Sequence, residues 1–247
     1  MQAYTVYTSS SKPLQQEKIV GQTVCSIDTL HALHVEKSSV QTSIKSKESI
    51  TCLESQAMSI ETMNNLFCKA STISQRLSAW KDLSAQDCPR LGPVIAHGRT
   101  TINNCPQIES VFAAGRLQLQ HSTVIKDVRA QADTFINAST IQQTLYCTSS
   151  TQITHSNIDS IVVSRPTPSS SSPPVSRSSV CVHIAQRSYS ATAESPRALQ
   201  RPTLPSEQAL ILSECHVRQI TFEKDGGKVI LLNGSTVEEV LGATIQD

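Results

Sequence analysis

The sequence predicts an all-β protein whose chain winds into a parallel β-solenoid of about 17 residues per turn. Three observations carry this prediction: a recurring motif, alternation of apolar and polar residues between the motifs, and a composition suited to a narrow core. The stretches LQHSTVIKDV (119–128) and INASTIQQTL (136–145) show the motif most clearly. Each places an apolar residue after a Ser-Thr pair, and the second begins seventeen positions after the first.

The apolar residue that follows the polar pair marks one point on each predicted turn, and we use it as an index. Successive indices lie 15 to 18 residues apart, which is typical of a repeat architecture whose turns stack on one another. The eight index residues are Val40, Met58, Ile73, Leu91, Ile108, Val124, Ile141 and Ile158.

Two further positions recur at a fixed distance from the index, and we predict that the side chains at both point into the core. Four residues after it stand Ile44, Thr62, Leu77, Ile95, Phe112, Val128, Leu145 and Val162. Five residues before it stand Val35, Leu53, Cys68, Gln86, Asn103, Leu119, Ile136 and Ile153. One-residue insertions near Leu83 and Ile102 account for the two polar members of the second set. Alternating residues between these anchors predict three short strands per turn, and therefore turns stacked about 4.8 Å apart.

Small polar residues just before the index predict a ladder along one corner, because a hydroxyl can bond both its own backbone and the turn above. Its predicted members are Ser38, Ser39, Ser71, Thr72, Ser122, Thr123, Ser139, Thr140, Ser156 and Asn157. One position earlier, Asn104, Gln120 and Asn137 predict a ladder of amide side chains.

The pattern divides the chain into four predicted segments. Residues 1–18 form a flexible N-terminal segment, and residues 19–163 form the solenoid. Residues 164–206 include SRPTPSSSSPPVSRSS, whose composition predicts a low-complexity linker, interrupted by a possible strand VCVHIA at 180–185. Residues 207–247 resume the period as C-terminal β coils that continue or cap the solenoid. The residues that resume it are Leu210, Leu212 and Val217, and then Ile230, Leu232 and Val237.

Composition limits the classes of partner and compartment. The net charge is +1, so bulk charge does not favour nucleic acid or an acidic membrane as a partner. The chain lacks both a long apolar span and a basic start followed by an apolar run. We therefore expect a cytoplasmic protein without an integral membrane segment. Peripheral attachment at the inner membrane is an alternative location. The eight cysteines include no CxxC pair, which predicts reduced thiols.

Cys88, Cys105 and His121 are the strongest candidates for a metal site, because each stands three residues before its index and is expected to stack on its neighbour. One ligand per turn forms a row, however, whereas a soft metal ion prefers ligands that converge tetrahedrally. We therefore predict an ordinary ladder here, with metal binding and a Cys88–Cys105 disulfide as alternatives.

Catalytic chemistry finds little support in the sequence. His155, Ser156 and Asp159 supply the residue types of a triad, but neighbouring residues on a strand alternate between faces. No phosphate-binding loop is present, and the lone Trp80 gives no stacking platform for single-stranded nucleic acid. The aspartates at different repeat positions are Asp82, Asp87, Asp127, Asp133 and Asp159, and they are not expected to converge. The sequence thus predicts no catalytic, cofactor-binding or metal-binding residue and no cofactor.

The string SVFAAGRLQLQHSTVIKDVRAQ, residues 110–131, resembles the repeat of the bactofilins, the polymer-forming cytoskeletal proteins. The likeness is best over residues 90–163. It implies a right-handed, three-sided β-helix that polymerises end to end without nucleotide. The chain is also similar to uncharacterised bacterial β-solenoid proteins that are interrupted before a final "TFE…KVI" segment, a resemblance that implies no activity.

Two functions follow from this interpretation. The first is a non-enzymatic scaffold that self-associates through its terminal coils, because open sheet edges can pair with another molecule. The second is a monomeric interaction module, such as a secreted effector or surface protein, in which Glu238, Glu239 and Asp247 discourage edge pairing. As a test of the repeat register, we expect Phe112→Asp to place a charge in the core and unfold the rod.

Overall fold

The computed structural model describes residues 5–8, 17–164, 209–223 and 227–246, and these form a parallel β-solenoid of about 11 turns. This confirms the predicted fold class and the period of about 17 residues. The described residues contain strands and turns but no helix. None of them therefore belongs to a helix that could cross a membrane.

The strands, numbered in chain order, form two sheets. The first sheet contains β1 (Thr5–Thr8), β3 (Thr23–Val24), β4 (Ser26–Thr29), β6 (Ser39–Ser46), β8 (Gln56–Thr62), β10 (Thr72–Ala79), β12 (Arg90–Leu91), β13 (Val94–Ala96), β15 (Val111–Ala113), β17 (Thr123–Val124), β18 (Val128–Ala130), β20 (Thr140–Cys147), β22 (Asn157–Val163), β24 (His216–Phe222) and β26 (Thr236–Leu241). The second contains β2 (Glu17–Val20), β5 (Leu33–Glu36), β7 (Ile50–Leu53), β9 (Leu66–Lys69), β11 (Leu83–Gln86), β14 (Thr100–Asn103), β16 (Leu117–Gln120), β19 (Thr134–Asn137), β21 (Thr151–Thr154), β23 (Ala209–Ser213), β25 (Gly227–Leu232) and β27 (Ala243–Gln246).

The two sheets enclose the core from three sides. The first sheet covers two sides and bends between them, so some turns carry one long strand and others two short ones. The second sheet covers the third side. Each strand pairs in parallel with its counterpart one turn later, as Leu119 pairs with Ile136 and Ile136 with Ile153. At about 4.8 Å per turn, the rod is about 50 Å long.

Inward-facing side chains stack in columns, and the index column is the clearest. Val40, Ile73, Leu91 and the later indices are buried in register with one another, as predicted. Met58 is the exception, because Ala57 pairs with Val40 and Ile73 while Met58 is 37% exposed. The prediction for Met58 is wrong because Ser55 occupies the buried ladder position, and alternation then places Ala57 inward.

The column four residues after the index was predicted correctly in only half of the turns. Ile44, Leu77, Val128 and Leu145 point inward. In other turns the corner is one residue shorter, so the inward residue comes three positions after the index. In the turn that contains Met58, the count starts at Ala57, which takes the inward place. The residues in this column are then Ile60, Val94, Val111 and Ile161. Ile95, Phe112 and Val162 therefore face outward. Thr62 is buried, but it stacks with Ser46 and Ala79 in the next column.

The third side shows the same kind of shift. Cys52, Ala85 and Ile102 occupy the inward column where Leu53, Gln86 and Asn103 were predicted. For the latter two the predicted one-residue insertion is confirmed, since Pro89 and Pro106 add a residue to the corners of their turns. In the C-terminal coils, Val229 and Leu231 take the column positions predicted for Ile230 and Leu232.

The insertion between β22 and β23 leaves the register intact. Thr151 on β21 pairs with Leu210 on β23, so the C-terminal turns continue the same rod. The predicted linker beyond Ser164, including the possible strand VCVHIA, lies outside the described residues. Of the predicted N-terminal segment, Thr5–Thr8 forms β1, which pairs in parallel with β4.

Candidate functional site

The structure does not bring together Cys88, Cys105 and His121. Cys88 and Cys105 are buried and belong to the same corner column as Ser122, because Pro89 and Pro106 shift them by one position. His121 occupies the preceding position, together with Asp87 and Asn104, and its side chain is exposed. No group of three or more His, Cys, Asp or Glu side chains in the described part of the chain is placed to hold a metal ion.

The corner position that contains His121 has a left-handed backbone in every turn. Ten non-glycine residues adopt φ between 46° and 54°, and they recur once per turn. Their positions are Lys37, Glu54, Ala70, Asp87, Asn104, His121, Ala138, His155, Glu214 and Asn233. The left-handed residue turns the chain at the corner, and the following side chain enters the core. Asn104 belongs to this column, so the predicted amide ladder instead contains Asn103, Gln120 and Asn137.

The buried column after this corner is the predicted hydroxyl ladder. The N–H of Cys105 donates to Ser122 Oγ at 3.1 Å, and the N–H of Ser122 donates to Ser139 Oγ at 3.2 Å. Ser122 Oγ donates in turn to the Gln120 carbonyl at 2.6 Å. Each hydroxyl thereby satisfies a buried backbone N–H of the turn below, which explains why serine recurs at a fully buried position. The second member of each predicted pair lies outside this buried column: Ser39, Thr72, Thr123, Thr140 and Asn157.

Four cysteines lie within the core of neighbouring turns. Cys52 and Cys68 are register partners on β7 and β9, and Cys88 and Cys105 follow in the corner column. The Cys68 thiol donates a hydrogen bond to Cys52, and the Cys105 thiol donates one to Cys88. Donating this bond and burial raise the pKa of Cys68 and Cys105, whereas accepting it lowers the pKa of Cys52 and Cys88. Burial alone raises the pKa of Cys147 to about 11. All of these thiols are enclosed in the core, out of reach of a substrate, so they act as small apolar core residues.

The residue types of a triad are separated by the fold. Ser156 is buried in the hydroxyl ladder, where its Oγ accepts from the N–H of Ser139 at 3.2 Å. His155 contacts Glu214 on the outer surface. Asp159 binds Arg218 through two N–O contacts of 2.7 and 3.0 Å. The three side chains thus have different partners and do not form a hydrogen-bonded relay.

Three of the four remaining aspartates also bind locally. Asp82 accepts the N–H of Arg99 at 2.8 Å, and Asp87 accepts from Asn104 Nδ2 at 2.8 Å. Asp127 lies 3.4 Å from the N–H of Thr144. Each of these bonds links one turn to the next, which is a structural role.

The last turn has an incompletely covered core. Val237, Val240 and Ala243 are only partly buried, and Ile245 is 49% exposed although it occupies an inward column beneath Val229. In the second turn, by contrast, Val24 is 4% exposed. Among the described strands, β26 and β27 each pair with one neighbour only, so no described strand covers the other backbone edge of either. Such an end can accept a further strand.

Two of the carboxylates expected to protect this edge point away from it. Glu238 lies 3.8 Å from the ring of His216, and Glu239 accepts from Gln219 Nε2 at 2.9 Å. Both partners belong to the preceding turn, so the carboxylates fold back along the outer surface. Asp247 lies outside the described residues.

Sequence reasoning missed one exposed corner. Leu30, Met63 and Trp80 are 49%, 60% and 62% exposed, and they lie in one column along the rod. The available signal was the spacing, since Met63, Trp80 and His97 follow one another at intervals of 17 residues, one turn each.

Comparison with known proteins gives no relative: no family model, curated protein or solved structure matches the chain. The β-solenoid architecture is thus shown by the structure, whereas no comparison confirms the bactofilin resemblance.

Proposed function

We propose that this protein is a non-enzymatic structural scaffold whose rods self-associate through their terminal turns, as the bactofilin resemblance implies. The observation that carries the proposal is the last turn, where Val240 and Ile245 occupy core columns without a covering turn. A second molecule stacked there would bury these side chains and pair the open edges of β26 and β27. A heterologous contact of this kind does not close and produces filaments in the cytoplasm.

Electron microscopy of negatively stained protein, together with sedimentation velocity at several concentrations, tests the proposal. We expect unbranched filaments and a sedimentation coefficient that rises with concentration. Ile245→Lys should abolish both, because it places a charge in the contact. Thr244→Lys is the matched control, since its exposed side chain lies on the outer face of the same strand. A monomeric rod at all concentrations would contradict the proposal.

A second candidate function is a monomeric interaction module that presents the side of its solenoid to a partner. The exposed column of Leu30, Met63 and Trp80 favours it, because large apolar side chains grouped on a polar surface mark interaction sites. Sedimentation as a monomer, together with binding on this column, would select this function over the scaffold.

A further inference from the structure

The exposed column forms a ridge on the corner between the second and third sides, in which Lys47 separates Leu30 from Met63. We call it the corner ridge and define it as Leu30, Lys47, Met63, Trp80 and His97. Each follows a residue held in register by strand pairing, from Thr29 through Ser46, Thr62 and Ala79 to Ala96. Five positions at about 4.8 Å per turn extend over about 19 Å.

The fold does not require apolar residues at this corner. In the next three turns the same position contains Ala114, Gln131 and Thr148, and the core beneath them is equally buried. An indole that is 62% exposed leaves most of its apolar area in water. The ridge therefore indicates selection for a contact outside the described residues.

A neighbouring ring supports Trp80 on one side. The Trp80 ring stacks on His97, with centroids 4.8 Å apart and planes inclined by 20°. The rings of His97 and Phe112 form a T-shaped pair whose centroids lie 6.2 Å apart. These contacts brace the indole from the C-terminal side. Its opposite face borders a shallow cavity of about 240 Å³ whose lining includes Met63, Lys45 and Arg76. A rigid aromatic face of this kind suits a binding anchor, because little rotamer entropy is lost on binding.

Basic side chains outnumber acidic ones around the ridge, which favours an acidic partner: three basic side chains line the cavity together with the carboxylates of Asp28 and Glu61. Lys45 and Arg76 share the single carboxylate of Glu61, at 3.9 and 3.6 Å. Lys47 and Lys81 form no ion pair with any described residue.

The carboxylates nearest to these lysines along the chain bind backbone groups. Glu48 accepts the N–H of Ala32 at 3.0 Å, and Asp82 accepts that of Arg99 at 2.8 Å. The ammonium groups of Lys47 and Lys81, which have no carboxylate partner among the described residues, thus flank the apolar ring of Trp80.

We propose that the corner ridge binds an acidic protein segment that inserts an aromatic or aliphatic side chain beside Trp80 and places carboxylates on Lys47 and Lys81. The chain's own remaining segments match poorly, because residues 165–208 contain five arginines and two glutamates, and residues 1–16 contain one lysine and no carboxylate. A second copy would bring the same lysines together. The proposal rests on the second candidate function and names its partner.

Selection from a displayed library of random 12-residue peptides without tryptophan tests the inference. The full chain serves as bait, and the Trp80→Ala variant in excess serves as competitor. We expect the selected peptides to combine two or more carboxylates with an aromatic or leucine residue. Their binding should change the fluorescence of Trp80, the chain's only tryptophan, and should weaken about tenfold or more in Trp80→Ala. The double variant Lys47→Glu, Lys81→Glu should lose binding as well.

Matched controls separate the ridge from the rest of the surface. Met58→Ala removes an exposed apolar side chain at another corner, and Lys69→Glu reverses an exposed charge on the third side; both should bind as the parent does. The inference would be overturned if the peptides selected in the presence of excess Trp80→Ala were basic or neutral, or if no peptide were selected. Peptides that bind the parent and Trp80→Ala equally would overturn it too, yet would preserve an interaction module elsewhere on the rod.

Discussion

The middle turns and the last turn of the rod place the same kinds of residues in the same columns but bury them to different degrees. Val111 and Leu145 are 2% and 0% exposed, whereas Val240, further along the same column, is only partly buried. Alternation along the strand decides which side chains point inward. Burial depends in addition on a neighbouring turn at each side. In a solenoid, therefore, the contribution of one residue to stability depends on its distance from an open end.

The largest contrast is expected for a charge placed in this column. Val111→Asp should destabilise the rod by several kcal/mol, because the carboxylate has neither water nor a partner between two covering turns. In the unassociated rod, at protein concentrations below filament formation, Val240→Asp should cost only about 1 kcal/mol, since water reaches that position. Urea denaturation, monitored by circular dichroism, measures the loss of unfolding free energy in both variants. Equal losses would show that the last turn is covered in solution and would remove the contrast.

A smaller contrast is expected in the hydroxyl ladder. Ser122 and Ser235 make equivalent bonds, accepting from Cys105 N–H at 3.1 Å and Cys215 N–H at 3.2 Å. Ser122 is buried and Ser235 is partly exposed. Ser122→Ala should cost about 1 to 3 kcal/mol by leaving a buried N–H unbonded, and Ser235→Ala about 0.5 kcal/mol or less, because water replaces its hydroxyl. Denaturant midpoints at an unchanged slope would measure these values, and a reversed order would contradict the ladder's role.

The smallest effects are expected at the left-handed corner. Ala138 has φ of 48°, which is strained for a residue with a Cβ, so Ala138→Gly should stabilise the rod by about 1 kcal/mol. Asn233, at φ 52° in the last turn, tolerates this conformation better, and Asn233→Gly should gain only a few tenths of a kcal/mol. Thermal unfolding would reveal both shifts. Ala130→Gly, within β18, is the control and should destabilise, because a strand interior gains nothing from a positive φ.

The period of the repeat was predictable from the sequence, but the exact inward residues were not. The index column depends on short strands with strict alternation, so Ile73, Leu91 and Ile141 were identified correctly. The next column lies beyond a corner that contains two or three residues, and a fixed offset cannot follow that variation. Phe112 was therefore placed in the core although Val111 occupies it, and we now expect Phe112→Asp to leave the rod folded.

The candidate surfaces depend on features that a repeat pattern does not contain. The grouping of Cys88 with Ser122 rather than with His121 follows from Pro89 and Pro106, each of which adds one residue to its corner. The corner ridge was invisible for a different reason, since exposure at a corner depends on where strands end. In the sequence Trp80 is an isolated aromatic residue. In the structure it lies between His97 and Met63, which are one turn away on either side.

The unbroken register across residues 165–208 has a practical meaning for protein engineering. Strand β21 pairs with β23 as though the chain had passed directly from one turn to the next, with Thr151 beside Leu210 and Thr154 beside Ser213. The corner after Val163 is thus a natural graft point. A fluorescent domain or an affinity handle spliced there would project from the rod while both flanking turns remain hydrogen-bonded, which gives a way to label the molecule in cells without touching its ends.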